Sequence, residues 1–584
     1  MKRAPLIIHL KAVNLFVVMV ALVALQSAVL AQGGDKTAKI DEYLRRANSY
    51  GQFNGAALVA ENGRVIYKKG VGLANMEWNV PNETDTKFRI GSITKQFTSM
   101  LIMQLVEQGK LKLDGKLSEY LPEYRRDVGD KVTIHHLLTH TSGIPSYTGL
   151  PNFFNEVSRD PYTVADFVKK YASGDLEFEP GTKFRYNNSG YFLLGAIIEK
   201  VSGKSYEQVV KENIFEPLGM KNSGYDHYGA IINKRASGYQ KTPAGYINAP
   251  YLDMSLPYAA GSLYSTVEDL YLWDQALYAD KLLSAKNREL MYKPFLDNYA
   301  YGWGITKVTL KQSKETVNSV QHTGGINGFN TIIVRYPEQK HLIVLFDNTS
   351  QGGNLNRISR DLTNILYNQP VDPPKQSIAE TLMKTVSEKD VTAAVKQYRE
   401  LKATQAANYD FSENELNQLG YQLLGAKKTK EAIEIFKLNV EMHPQAANPY
   451  DSLGEAYLQA GERELALQNY RKSVELNPQN TNAVAVIKNL ASPAVTVDAR
   501  TLDVYAGQYD VPGLGLLDIA KQGDKLVGAP PGRPKAELTP QGDNRFFVAG
   551  PNINLTFGKD DKGQVTHVMV RLPDGREMQA KRVK

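Results

Sequence analysis

The chain has 584 residues and a mass of 65.0 kDa, with 42% hydrophobic and 22% charged residues. That much apolar material can bury several cores, which excludes a wholly disordered or fibrous protein. The formal net charge is +7, with no block of Lys or Arg, so nucleic-acid binding gains no support.

Residues 1–31 read as a secretory signal peptide. Lys2, Arg3 and Lys11 open it, residues 12–25 form an apolar stretch broken only by Asn14, and Val29, Leu30 and Ala31 offer small residues for cleavage. The apolar stretch is shorter than the ~20 residues a bilayer span requires. There is no cysteine, so disulfides, thiolate metal sites and a cysteine nucleophile are excluded. The expected location is the periplasm or the outside of a bacterial cell. Membrane contact is expected only through the signal peptide during export.

Residues 37–369 mix strand and helix patterns. Residues 55–60 and 64–67 flank Glu61, Asn62 and Gly63, and residues 330–336 and 341–346 flank a turn at 337–340; both read as hairpins. Strands from the two ends of this segment are expected to form one antiparallel sheet with the helical middle beside it.

Residues 369–374 are a Pro-rich break, followed by helical sequence to about Ala407. A period of 34 then appears. Leu419 and Gly420 recur as Leu453 and Gly454, Ala432 as Ala466, Phe436 as Tyr470, and Pro444 as Pro478. The spacing resembles tetratricopeptide repeats, at about 412–445 and 446–479, within a helical region 376–491. Residues 376–407 and 481–491 are expected to cap them. Residues 499–584 alternate in short runs, including 553–557 and 565–572. Turns at 559–563 and 573–575 punctuate them, which reads as a small antiparallel β domain, sandwich or barrel.

Three segments carry chemistry. Ser92 and Lys95 stand three apart at the start of a helical run that reaches Gln108, so the amine can reach the hydroxyl one turn back. A serine needs a nearby base to become a nucleophile, and a lysine with a lowered pKa can be that base. Tyr186 and Asn188 form a Tyr-x-Asn loop, able to transfer a proton and hold a carbonyl. His322, Thr323, Gly324 and Gly325 follow a strand-like run, and the glycines would let a substrate backbone approach. The N–H groups of Gly325 and Ser92 could hold an oxyanion. Each segment alone also fits an ordinary turn or helix start.

The order Ser-x-x-Lys, Tyr-x-Asn, His-Thr-Gly matches the plan of the penicillin-recognising serine hydrolases. Together with residues 135–144 and 260–266, it resembles the class C β-lactamase-like family over residues 37–365. The chain is therefore expected to be multidomain, and the resemblance implies an α/β (α+β) β-lactamase-like sandwich with a helical subdomain over residues 37–365. It further implies Ser92 as acyl-accepting nucleophile, Lys95 as its partner and Tyr186 as proton shuttle. Asn188 would hold the substrate amide, His322 and Thr323 would face the substrate carboxylate, and Gly324 would border the substrate. β-Lactamases of this plan carry lysine where His322 stands, and histidine there occurs in carboxypeptidase-like and peptidase-like members.

The expected function is therefore serine hydrolysis through an acyl-enzyme on D-amino-acid peptide, amide or ester substrates. D-alanyl-D-alanine carboxypeptidase-like cleavage is its sharpest form, and an esterase or β-lactamase is the near alternative. A non-catalytic ligand sensor acting through the repeat region is the alternative of another class. No cofactor is expected. His136 and His140 stand four apart but lack the acidic partner of a zinc motif, and both read as structural. The repeat region offers room for a peptide or protein partner.

Overall fold

A computed structural model of the protein describes residues 35–583, apart from 151, 243–244, 492–498, 512–514, 531–534, 543, 549–552 and 573–575. The signal peptide and the 573–575 turn expected from the sequence lie outside the described residues. Two compact units divide the chain after Pro374.

The first unit is organised by a six-stranded antiparallel sheet. Its strands are β1 (Gly55–Glu61), β2 (Arg64–Val71), β3 (Gly304–Thr309), β4 (Thr316–Ile326), β5 (Phe329–Tyr336) and β6 (His341–Asp347), in the order β3-β4-β5-β6-β1-β2. Turn chemistry fixes the first hairpin. Asn62 (φ 51°) and Gly63 (φ 76°) both take the left-handed conformation that a tight two-residue turn needs. β1 pairs with β6 from Gly55↔Asp347 to Ala60↔Leu342, so strands from the two ends of the unit lie at the centre of the sheet.

Alternation along β1 splits the cores. Ala57 and Val59 pack with Ile343, Leu345, the helix over 35–49 and the last helix of the unit (Gly352–Leu366). Ala56, Leu58 and Ala60 face the opposite core, which contains helices α1 (Thr94–Glu107) and α2 (Asn188–Ser202). α1 is buried from Thr94 to Met103, without a polar face, as expected of a helix enclosed by the other elements.

β4 is longer than the sequence suggested. His322, Thr323, Gly324 and Gly325 lie within the strand rather than beyond its end, because all four pair with β5 from His322↔Ile333 to Gly325↔Asn330. The turn joining β4 to β5 is Asn327-Gly328, with Gly328 at φ 80°.

In the second unit, two helical hairpins run Glu413–Gly425 with Thr429–Met442, and Ala447–Gln459 with Arg463–Leu476. Every boundary of the first recurs 34 residues later. A Cβ on Gly420 would sit 2.3 Å from the Phe436 ring, and one on Gly454 3.1 Å from the Tyr470 ring. The recurring glycine therefore makes room for the recurring aromatic. Helices Ile378–Glu388, Val391–Thr404 and Thr481–Ala491 flank these hairpins, and they share one core with them. The C-terminal segment forms a closed eight-stranded barrel, which resolves the sandwich-or-barrel alternative. Its first strand (Gly507–Val511) pairs with its last (Glu577–Arg582), and Tyr509, Phe546, Phe557 and Val568 fill the interior.

Candidate active site

Ser92 lies in a single 3₁₀ turn, Gly91–Ile93, that runs directly into α1. Gly91 has φ 50°, and a Cβ there would approach the Gly325 nitrogen to 2.9 Å. The Ser92 turn is thus pressed against β4. Gly324 and Gly325 serve different ends. A Cβ on Gly324 would meet the Ile90 carbonyl at 2.0 Å and Thr331 Oγ1 at 2.3 Å, so its bareness lets the turn seat on the sheet. At Gly325 the nearest atom, Asn330 Oδ1, is 3.9 Å away, and the space is open.

Lys95 is fully buried. Its Nζ is 3.0 Å from Ser92 Oγ, 2.9 Å from Asn188 Oδ1 and 2.8 Å from the Ala260 carbonyl. Burial lowers its pKa well below the usual lysine value. A neutral amine has two N–H bonds and one lone pair. The carbonyl of Ala260 and the amide oxygen of Asn188 can only accept, so they take the two N–H bonds. With the amine in its neutral form, the lone pair is left for Ser92, which would then donate to it. That is the geometry of a general base on a serine hydroxyl.

Asn187 caps α2 through its side chain, which accepts from Gly190 N at 2.9 Å, and this places Asn188 at the helix start. Asn188 Nδ2 donates to Thr148 Oγ1 at 3.1 Å. Tyr186 keeps 37% of its surface exposed, yet its ring centroid lies 4.9 Å from Lys95 Nζ. Burial of the phenol raises its pKa above the ordinary value, and a hydrogen bond with Ser92 partly opposes this.

His322 is buried behind this group rather than open to the cavity. Its Nδ1 donates to the Thr323 carbonyl at 2.6 Å, so Nε2 accepts from the Tyr299 hydroxyl at 2.9 Å. Burial, followed by the charge of Lys95, lowers its pKa to about 4. Thr323 is exposed, but it does not line the cavity described below.

Two further residues belong to this cluster and escaped the sequence reading. Tyr299, buried, holds His322. His140, read as structural, has its ring 4.3 Å from that of Tyr186 and 4.6 Å from that of Tyr299. Its Nδ1 accepts from Asn187 N at 3.0 Å, so the proton sits on Nε2, which has no hydrogen-bond partner among the described residues. No motif surrounds Tyr299. His140 does lie within the 135–144 signature, and in the structure its backbone is left-handed, φ 59°. His136, by contrast, serves a helix cap with Thr133, as a structural residue does. Among the described residues no group of three or more His, Asp or Glu side chains converges as a metal site.

Ser92, Asn188 and Gly325 line one cavity of about 540 Å³, within the range of small-molecule sites. Its walls also include Tyr147, Phe153, Phe154, Leu252 and Ile326.

A family model described as Beta-lactamase matches residues 39–366, more than half of the chain. The chain belongs to the beta-lactamase family. Penicillin-binding protein 4* of Bacillus subtilis (strain 168) is 33% identical over 353 residues, which cover 56% of this chain and 75% of that protein. Teichoic acid D-alanine hydrolase of Staphylococcus aureus is 28% identical, covering 57% of this chain and 79% of its own length. Among solved structures, the D-amino acid amidase from Ochrobactrum anthropi SV3 complexed with L-phenylalanine amide superposes with a TM-score of 0.50 at 25% identity. It covers 57% of this chain and 99% of that one. The beta-lactamase-family chain is a serine hydrolase. A second family model, a domain of unknown function (DUF3471), matches residues 491–582. No helix among the described residues is long and apolar enough to cross a membrane.

Proposed function

We propose that this protein is an exported hydrolase that forms an acyl-enzyme on Ser92 and acts on D-amino-acid peptides, amides or esters. The observation that carries the reading is the position of Lys95 Nζ, 3.0 Å from Ser92 Oγ with its other two hydrogen bonds made to obligate acceptors. Ser92 Oγ attacks the substrate carbonyl carbon and its proton passes to Lys95. The carbonyl π electrons move to oxygen, held by the N–H groups of Ser92 and Gly325. As the oxyanion collapses, the C–N or C–O bond breaks and the leaving group takes the proton through Tyr186. Water then attacks the ester carbonyl, gives a proton to the same base, and frees the acid and Ser92.

The names of the relatives, a D-alanine hydrolase and a D-amino acid amidase, support D-configured amide or ester substrates. The class C form of the fold, with Asn188 toward the substrate amide, is part of the same reading. So are residues 1–31 as a signal peptide that delivers the chain to the envelope. The 34-residue helical hairpins are read as tetratricopeptide repeats offering a surface to a peptide or protein, with β-barrel residues 499–584 as a separate appended domain. The test is labelling of the mature chain with a fluorescent penicillin and a fluorophosphonate. Wild type should label at Ser92, and Ser92→Ala should lose both label and turnover. Full hydrolysis by Ser92→Ala would refute the assignment.

A further inference from the structure

None of the sixteen described residues lining the Ser92 cavity is charged. Much of its wall is apolar, with Thr148, Asn327 and Ser350 as polar members beside Ser92 and Asn188. Tyr147 and Phe153 are buried with ring centroids 5.2 Å apart, and Phe154 stands edge-on to Phe153 at 5.2 Å. Phe154 lines the cavity and remains 54% exposed. It lies on a π-helical turn, Phe153–Val157, entered through Asn152 at φ 58°. Such irregular turns recur where a side chain is aimed at a ligand.

The cations in nearby loops are engaged elsewhere. Arg89 and Arg235 both clasp Asp226, at 2.8 and 2.7 Å, and Arg185 pairs with Glu177 at 2.6 Å. His322, the residue in the motif position for a carboxylate, has both ring nitrogens committed to Thr323 and Tyr299. A carboxylate drawn into this cavity would lose water and meet no cation among the described lining residues. An aromatic or branched apolar group would gain contact on Phe154, Leu252 and Ile326.

We propose that this cavity selects uncharged substrates with an apolar group beside the reacting carbonyl, and disfavours peptides ending in a free carboxylate next to the scissile bond. The inference rests on Ser92 being the nucleophile, and it narrows the substrate class away from carboxypeptidase-like cleavage. The test uses N-acetyl-D-Phe-D-Ala, its C-terminal amide, and N-acetyl-D-Ala-D-Ala amide. Each is assayed for turnover and for protection of Ser92 from fluorophosphonate labelling. The D-Phe amide should exceed the free acid at least a hundredfold in kcat/KM, with the difference mainly in KM, and should protect at correspondingly lower concentration. Phe154→Ala should cost the D-Phe amide about tenfold and leave the D-Ala amide within twofold. Asn327→Arg, which adds a cation to the wall, should bring the free acid to within tenfold of its amide. If wild type accepts the free acid as well as the amide, by turnover or by protection, the inference is overturned while Ser92 labelling stands. If Ser92 does not label, the reading of the nucleophile itself fails.

Discussion

Gly324→Ala tests how tightly the nucleophile turn is built onto the sheet. The added Cβ would lie 2.0 Å from the Ile90 carbonyl and 2.3 Å from Thr331 Oγ1. Comfortable contact needs about 3.5 Å, so β4 and the turn must separate by roughly 1 Å or more. Overpacking of this kind costs about 1–3 kcal/mol. The separation also breaks the bond from Thr331 Oγ1 to Ile90 O, 2.9 Å long, worth about 1 kcal/mol. Because Ile90 leads directly into Gly91 and Ser92, the displacement reaches the nucleophile, and a shift of about 1 Å lowers rate by a factor on the order of 100. Two assays read this out: urea unfolding followed by tryptophan fluorescence, and kcat/KM on a nitrophenyl ester. All three tryptophans, Trp78, Trp273 and Trp303, lie in the first unit, so fluorescence reports that unit. Gly325→Ala is the comparison, since a Cβ there meets nothing closer than 3.9 Å; it should keep the unfolding midpoint. A Gly324→Ala protein with wild-type midpoint and wild-type rate would refute the packing argument.

Lys95→Met keeps the buried volume and removes the lone pair, and kcat should fall by about 10²–10⁴ with the fold retained; circular dichroism and ester turnover check it. In the wild type, kcat/KM should rise with pH through a lysine pKa held below the ordinary value by burial, and a flat profile would argue against Lys95 as base. Burial pushes the His322 imidazole down to about 4 in the folded chain, against an ordinary value of about 6.5. Between the two the unfolded chain binds more protons, so stability is lost as pH falls from 6.5 toward 4, by about 3 kcal/mol. His322→Gln should remove that part of the slope in urea titrations, and an unchanged slope would contradict it. Gly420→Ala should lower the unfolding free energy of the helical unit, read by circular dichroism in urea, by an amount on the order of 1–3 kcal/mol, because its Cβ would enter the Phe436 ring, while ester turnover stays unchanged.

What the sequence disclosed follows the range of the interactions involved. Ser92 and Lys95 are one turn apart, so spacing alone announces their approach. The 34-residue period sets helix boundaries because each hairpin buries its aromatic against its own glycine. The two hairpins of the first sheet are legible because their turns are short, Asn62-Gly63 in one and a Pro-led four-residue turn at 337–340 in the other. Long-range packing was not legible. Nothing local distinguishes Gly324, which seats the turn, from Gly325, which opens on the cavity. Tyr299 and His140 acquire their roles only when segments more than a hundred residues apart meet behind Lys95. The strand nature of His322 to Gly325 was hidden because glycines and a threonine resemble a turn until β5 pairs with them. Barrel closure depends on Tyr509 meeting Arg582 at the far end of the domain.

The pairing of β1 with β6 sets the timetable by which the protein becomes functional. As the chain leaves the ribosome, residues 55–61 appear almost three hundred positions before their central partners at 341–347. The serine turn likewise precedes the strand that braces it. Closing so distant a contact is slow, and it leaves unpaired strand edges open to aggregation in the meantime. A nascent chain halted before residue 341 would carry Ser92, Lys95 and Tyr186 but lack the strand that pairs with β1.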